Sequence, residues 1–378
     1  MGTKQQRQSI IKKTGRVVIK IGSSVLKDQA GRLSLKRLSE LVRGVSCLHK
    51  KGFQLVLVSS GAIASGMQRW GFQKRPSKIS ELQACASLGQ PFLISCYQKL
   101  LARSKIDVAQ LLLTRSDLED RTRFLNAKHT LFELLRRKAL PIINENDTVA
   151  VEEIRFGDND NLAALTTNVV DADLLILLTD QDGLFTANPT REAGATQIQL
   201  VRSVDTALVE KTGQETSHTT VGGMRSKLEA CRKAAEYGIP TIIANGQEPG
   251  ILQKIFAAEA VGTLFLPERD SLTARKHWIA HTLQSRGTLL LDEGACHALI
   301  DKKKSLLPSG IEEIKGSFVQ GDAVDICNPQ GIVIGRGLSS YSSQEIQKIK
   351  GEKTSEIEKR LGYKGPDEVV HRDDLVLT

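Results

Sequence analysis

Seven short, mostly aliphatic runs punctuate the first two-thirds of the chain, at residues 17–21, 54–58, 107–113, 140–143, 174–178, 239–243 and 262–266. Helical patterns separate them. The clearest spans 34–51, and two long helical stretches flank 107–113. Apolar strands without alternation are buried on both faces, and strands joined by helices pair in parallel. The expected fold class is therefore α/β, a mostly parallel sheet with helices on both faces. The texture changes near Pro267, where 267–276 is polar and charged and reads as a linker. Short strands then follow at close spacing, at 278–280, 287–291, 323–327 and 332–336, with glycines between them. That pattern predicts a small, mostly β barrel of about 100 residues. The expected boundaries are a first domain over 1–268 and a second over 275–378.

Composition narrows the class. A length of 378 residues suits two domains, and 40% apolar with 25% charged residues excludes wholesale disorder and fibrous repeats. The longest aliphatic run, 174–178, is far below the roughly 20 residues that cross a bilayer. The polar N-terminus lacks the apolar stretch of a signal peptide. Six scattered cysteines, Cys47, Cys85, Cys96, Cys231, Cys296 and Cys327, form no C-x-x-C pair, which argues against a zinc site or a disulfide framework. A cytoplasmic protein without a membrane partner is expected.

The net charge of +9 is unevenly placed. From Arg275 onward there are 15 basic and 15 acidic residues, so the whole excess lies before it. Lys4, Arg7, Lys12, Lys13 and Arg16 fall in the first sixteen residues and read as a solvated, partly disordered lead-in. The remaining excess suits an anionic ligand such as a nucleotide. Nucleic acid is the weaker reading, because aromatic residues are only 4% of the chain.

In an open parallel sheet, ligands bind at the carboxyl ends of the strands. The strand at 17–21 contains Lys20 and runs into Gly22-Ser23-Ser24. A lysine in a buried strand is costly unless it meets an anion, and the residues after it leave backbone N–H groups for phosphate oxygens. The next strand runs into Ser59-Ser60-Gly61-Ala62-Ile63-Ala64, small residues that suit either a ligand at a helix N-terminus or close helix packing. Asn144-Glu145-Asn146-Asp147 and Gly157-Asp158-Asn159-Asp160-Asn161 are clusters of carboxylates and amides that could hold an amino group or a metal. They lack the spacing of a calcium loop. Thr179-Asp180 follows the most apolar strand, and Gly222-Gly223-Met224-Arg225-Ser226-Lys227 opens a helix with glycines and a lysine in its first turn. No Walker A loop and no protein-kinase signature occurs.

Two lysines at two phosphate-type loops point to phosphoryl transfer, which needs mainly positioning and charge neutralisation. A carboxylate acceptor is already ionised at neutral pH, so no general base is required and no histidine is expected.

The chain resembles the glutamate 5-kinases of the amino acid kinase family. The matching motifs are Val18-Ile19-Lys20-Ile21-Gly22-Ser23-Ser24, Ser59-Ser60-Gly61-Ala62, Leu112-Leu113-Thr114-Arg115, Ile143-Asn144-Glu145-Asn146-Asp147, Gly157-Asp158-Asn159-Asp160-Asn161-Leu162 and Thr179-Asp180-Gln181-Asp182-Gly183. The tail resembles a PUA domain through Asp292-Glu293-Gly294-Ala295, Leu306-Leu307-Pro308-Ser309-Gly310 and His371-Arg372-Asp373-Asp374. The resemblance implies ATP-dependent phosphorylation of the L-glutamate side-chain carboxylate with Mg²⁺, as the first step of proline biosynthesis. It assigns catalysis to Lys20, Lys227 and Asp160, and glutamate binding to Ser60, Asp147 and Asn159. It assigns ATP binding to Lys20, Thr179, Asp180, Val221, Gly222, Gly223, Met224, Arg225, Ser226 and Lys227, and leaves the metal ligands open. Val221 stands where the family usually has a threonine, which implies weaker nucleotide binding. Feedback inhibition by proline, a homo-oligomer built through the kinase domain and an RNA-binding PUA module are further implications. The rivals are a kinase of N-acetylglutamate, aspartate or uridylate, and an RNA-binding PUA protein with a vestigial or regulatory kinase domain.

Overall fold

The computed structural model describes residues 2–28, 31–150, 159–187, 189, 192, 194–204, 223–267 and 284–377. Two compact units emerge, Met1–Glu119 with Asn126–Arg269, and Asp270–Thr378 with Asp120–Leu125.

The first unit is built on an eight-stranded sheet of order β3-β4-β2-β1-β5-β7-β8-β6. Its strands are β1 (Arg16–Ile21), β2 (Gln54–Ser59), β3 (Val108–Leu113), β4 (Leu140–Glu145), β5 (Leu174–Thr179), β6 (Leu200–Val201), β7 (Thr241–Asn245) and β8 (Thr263–Phe265). Six neighbouring pairs run parallel, and only β7 and β8 are antiparallel. The described helices of this unit are α1 (Thr3–Lys13), α2 (Ser23–Leu26), α3 (Leu35–Lys50), α4 (Ala62–Trp70), α5 (Ile79–Ala102), α6 (Arg115–Glu119), α7 (Arg121–Arg136, belonging to this unit from Asn126 onward), α8 (Asn159–Val169), α9 (Met224–Glu236) and α10 (Ile251–Phe256).

The sheet expectation holds, and its departures have local causes. The strand predicted at 239–243 begins at Thr241 instead, because Gly238 and Ile239 still donate backbone bonds to Ala235 and Ala234 to close α9, and Pro240 has no N–H to add to a ladder. Strand β6 is two residues long, too short for any periodicity to reveal.

The helices form for readable reasons. In α3, Leu38, Leu41, Val42, Val45 and Leu48 recur at three- and four-residue spacing and are buried, while the Ser34 side chain caps the first turn. Helices α4 and α5 cross at very close range. A Cβ added at Gly66 would sit 1.8 Å from the Cys85 carbonyl oxygen, and one at Gly89 1.8 Å from that of Ala62. The small residues after β2 therefore serve packing at Gly66, and Gly61, at φ 112°, makes the left-handed turn that starts α4.

The basic lead-in is not the solvated, partly disordered segment expected of it. It forms α1, and Arg7 is 2% exposed. Its guanidinium donates to the carbonyls of Val261 at 2.8 Å, Gly262 at 2.9 Å and Gln199 at 3.4 Å. Backbone carbonyls thus take up the two terminal nitrogens of a buried arginine fork without a carboxylate, whereas sequence reading counts the residue only as charge. Arg16 likewise opens β1, stacking 4.6 Å over Phe132 and donating to Gln54.

The second unit carries a five-stranded sheet of order β10-β9-β11-β12-β13, from β9 (Gly287–Leu291), β10 (Ile311–Gly316), β11 (Ala323–Cys327), β12 (Val333–Leu338) and β13 (Leu375–Leu377). Leu289, Leu291, Leu299, Val324, Ile326 and Ile346 form its core. The strand predicted at 278–280 lies outside the described residues. Strands β10 and β13 were not foreseen, since Glu312, Glu313 and Lys315 give β10 an exposed, polar face. Among the described residues no helix is long and apolar enough to cross a membrane.

Candidate active site

Parallel strands in register deliver their carboxyl ends to one edge. Lys20 of β1 pairs with Val58 of β2 and with Leu177 of β5, and Leu111 to Leu113 pair with Ile143 to Glu145. The order β4-β2-β1-β5 therefore lines up Glu145, Ser59, Ile21 and Thr179, and the loops beyond them, along one rim. Ser60 N–H donates to the Ile21 carbonyl and Gly22 N–H to that of Leu178, tying these loops together.

At the rim the two lysines meet one carboxylate. Lys20 Nζ lies 2.6 Å from Asp160 Oδ1, and Lys227 Nζ lies 3.2 Å from Asp160 Oδ2. Ser226 Oγ adds a contact of 2.8 Å to Oδ2. All three charged groups are buried, with Asp160 at 0% and the lysines at 5% and 7% exposure. Burial alone would raise the Asp160 carboxyl, but Lys20, Lys227 and the hydrogen bonds from Lys20 and Ser226 outweigh it and hold it at about 2. Asp160 also sits in the first turn of α8, where a helix favours an anion. The aspartate thus joins β1, α8 and α9, segments far apart in sequence.

Beside this triad lies an amide network. Asn159 Nδ2 is 2.9 Å from Ser60 Oγ and 2.9 Å from Asn144 Oδ1, and Asn144 Oδ1 also accepts from Glu145 N–H at 2.9 Å. Both amide orientations are thereby fixed. Below it, the Tyr97 hydroxyl lies 2.8 Å from Ser59 Oγ, which donates to the Ser60 carbonyl. Tyr97 is fully buried in α5 and had no sequence signal, because a tyrosine among aliphatic helix residues reads as core.

A cleft lined by Ser23, Lys27, Ser60, Ala62, Arg75 and Asp147, among others, opens next to this network. Asp147 is 4% exposed, and its Oδ1 is buried without a hydrogen-bond partner. Burial pushes its carboxyl up to about 7, with Arg75 pulling the other way. Lys27 and Arg75 were missed by sequence reading, which has no means of folding a loop residue back onto a strand end.

The remaining site residues fall as follows. Thr179 is buried at the end of β5 and donates to Asp180, which is exposed. Gly223 caps α9, Met224 begins it, and Arg225 pairs with Glu229 at 3.0 Å on its exposed face. Val221 and Gly222 lie outside the described residues. Cys231 is buried behind Lys227, and burial followed by the Asp160 charge pushes its thiol well up, which excludes it as a nucleophile. Among the described residues no cluster of His, Cys, Asp or Glu could hold a metal ion.

The arrangement suits transfer of an anionic group: two buried cations, one anion that orients them, backbone N–H groups at helix starts, and a neighbouring polar cleft for an acceptor. Comparison with known proteins agrees. The signature of the amino acid kinase family matches residues 15–245 and that of the PUA domain residues 287–361. Proteins named glutamate 5-kinase from Trichlorobacter lovleyi and Syntrophotalea carbinolica are 48% and 47% identical over 98% of this chain and 99% of theirs. The one from Geobacter sulfurreducens is 46% identical over 98% of this chain and 100% of its own. Among solved structures, a UMP kinase from Bacillus anthracis is 18% identical, with a TM-score of 0.46 over 68% of this chain and 97% of that one. By its signature and by relatives that match it along nearly its whole length, the chain belongs to the amino acid kinase family, among the glutamate 5-kinases, and carries a PUA domain.

Proposed function

We infer that the chain transfers the terminal phosphoryl group of ATP to the side-chain carboxylate of L-glutamate, giving L-glutamyl 5-phosphate and ADP, the first step of proline biosynthesis. The observation that carries this reading is the convergence of Lys20 and Lys227 on the buried Asp160. A carboxylate oxygen of glutamate forms the new bond to phosphorus as the bond to the ADP oxygen breaks. The acceptor is ionised beforehand and ADP departs as an anion, so no proton moves and no base is needed. The two ammonium groups neutralise charge on the transferring group and the leaving oxygen, and Asp160 fixes where they point.

Ser60 and Asn159, locked by their mutual hydrogen bond, hold the reacting carboxylate, and Asp147 takes the α-ammonium group of glutamate. Thr179, Asp180 and the start of α9 from Gly223 to Lys227 serve the nucleotide, together with Val221 and Gly222. Arg225 is set apart by its pairing with Glu229. Magnesium would accompany the nucleotide and would supply further charge neutralisation there. The identity of the relatives disfavours the rival reading as an RNA-binding protein with an inactive kinase domain.

Proline shares the α-ammonium and α-carboxylate of glutamate, which supports feedback inhibition at the same cleft. A homo-oligomer and a cytoplasmic location complete the reading. RNA binding through the PUA domain is a secondary role, tested by filter binding at two salt concentrations. An ATP-dependent hydroxamate assay tests the central claim, because hydroxylamine traps an acyl phosphate. Hydroxamate formed from glutamate and not from N-acetylglutamate is expected. Product from N-acetylglutamate alone, or from neither, would overturn it.

A further inference from the structure

We propose that Arg75 and Lys27 form the subsite for the α-carboxylate of the acceptor, and so set the choice of an α-amino acid over an otherwise identical amine. This rests on the reading of glutamate as acceptor and assigns two residues to its recognition.

The cleft beside Ser60 opens to solvent, and among the described residues its charged lining consists of one acid, Asp147, and two bases, Lys27 and Arg75. Asp147 presents a buried oxygen without a hydrogen-bond partner, which suits an ammonium group. The two bases are close enough that Arg75 works against protonation of Lys27, after the larger effect of Lys27's own burial. Lys27 has no carboxylate partner among the described residues. Like charges brought together at the rim of a cleft favour an anion between them. The same cleft is walled by Gly61 and by Ala62, Ile63 and Ala64 at the start of the nine-residue helix α4. The N–H groups of that first turn favour the same sign of ligand charge.

The chemistry of glutamate then distributes itself. Its side-chain carboxylate goes to the Lys20–Asp160–Lys227 end, its α-ammonium to Asp147, and its α-carboxylate to Arg75, with Lys27 as a second, point-like charge. An arginine suits that position because its planar fork engages both oxygens of a carboxylate. Arg75 stands on the irregular segment between α4 and α5 and is exposed, so it can engage the ligand at the mouth of the cleft.

Two glutamate analogues separate the charges. 4-Aminobutanoate is glutamate without the α-carboxylate, and glutarate is glutamate without the α-amino group. Steady-state ADP release is measured for all three acceptors with the intact chain and with R75M, R75K and K27M. Expected for R75M is a 10- to 100-fold fall in kcat/KM for glutamate, carried by KM, as about 1.5–3 kcal/mol for a charged hydrogen bond implies. Its kcat/KM for 4-aminobutanoate stays within about threefold of the unaltered chain, and the preference for glutamate over glutarate is kept. R75K recovers part of the loss, and K27M shows a smaller fall of the same kind. An unaltered preference of R75M for glutamate over 4-aminobutanoate would overturn the assignment. Failure of the unaltered chain to release ADP with glutamate would instead overturn the identity of the acceptor.

Discussion

Replacing Asp160 by asparagine tests the centre of the site. The substitution keeps the volume and removes one negative charge from between two ammonium groups at 2.6 and 3.2 Å. Both lysines stay buried. Breaking a buried ion pair by removing one partner costs about 3–5 kcal/mol. In a unit of this size that lowers its melting temperature by roughly 6–20 °C. The same change leaves the lysines unaimed, and a fall in kcat of about 10²–10³ is expected.

The nucleotide discriminates between structural and catalytic accounts. A triphosphate brings back the counter-charge that the substitution removed. Saturating concentrations of a non-hydrolysable ATP analogue should therefore raise the melting temperature of D160N by more than that of the unaltered protein. Differential scanning fluorimetry with and without the analogue measures this directly. If D160N melts within about 2 °C of the unaltered protein, or gains no more from the analogue, the two lysines do not converge on the phosphate site and the argument fails.

Asp147 titrates near neutrality, at about 7, because burial raises its carboxyl above 3.8. In the proposed role Asp147 meets the α-ammonium of glutamate only when ionised, so kcat/KM for glutamate should rise with pH through about 7, and D147N should lose both that limb and most of its activity. The sign for stability is opposite to that of Asp160. The raised Asp147 loses stability for the fold as pH climbs from about 4 to about 7, whereas Asp160, held at about 2, gives stability above 3.8 that is lost as pH falls toward 2. Y97F removes the hydroxyl that holds Ser59, and about 1–2 kcal/mol of stability with a severalfold rise in the KM for glutamate but not for ATP is expected. G89A forces a Cβ to within 1.8 Å of the Ala62 carbonyl oxygen, and since both sides are backbone, chemical denaturation should show a loss of at least about 1–3 kcal/mol. A fully stable G89A would mean that α4 and α5 are not in contact there.

What the sequence reveals, and what it hides, follows from the range of the physics involved. Lys20 was legible as a buried charge in want of a partner, because a charge inside an apolar strand demands one, and Asp160 supplies it. Its partner was legible only as one of several carboxylates in two polar clusters, because pairing is decided by tertiary distance. The sheet was legible from runs of Val, Ile and Leu that lack alternation, down to the strand ends that carry Ser60 and Thr179. Arg7 was misread because its solution is a set of backbone carbonyls near 199 and 261–262, groups every residue possesses and no pattern marks. Tyr97 was invisible for the reverse reason, as its ring belongs to the core and only its oxygen belongs to the site.

In the proposed reaction the ratio of two lysines to one aspartate is itself a functional quantity. Without Asp160, two naked ammonium groups in a buried site would oppose folding. With a second aspartate the charge would cancel, and the attraction for phosphate would go with it. One carboxylate between two cations leaves the trio itself with positive charge to spare in a low-dielectric place, fixed in direction before any ligand arrives. That residue of charge gains most when negative charge accumulates on the transferring group and the departing oxygen, which is the condition for lowering a barrier rather than merely binding a substrate. On the proposed reading the same carboxylate that makes the fold tolerable sets how strongly the site prefers the transition state, so the stability and turnover of D160N are expected to fall together.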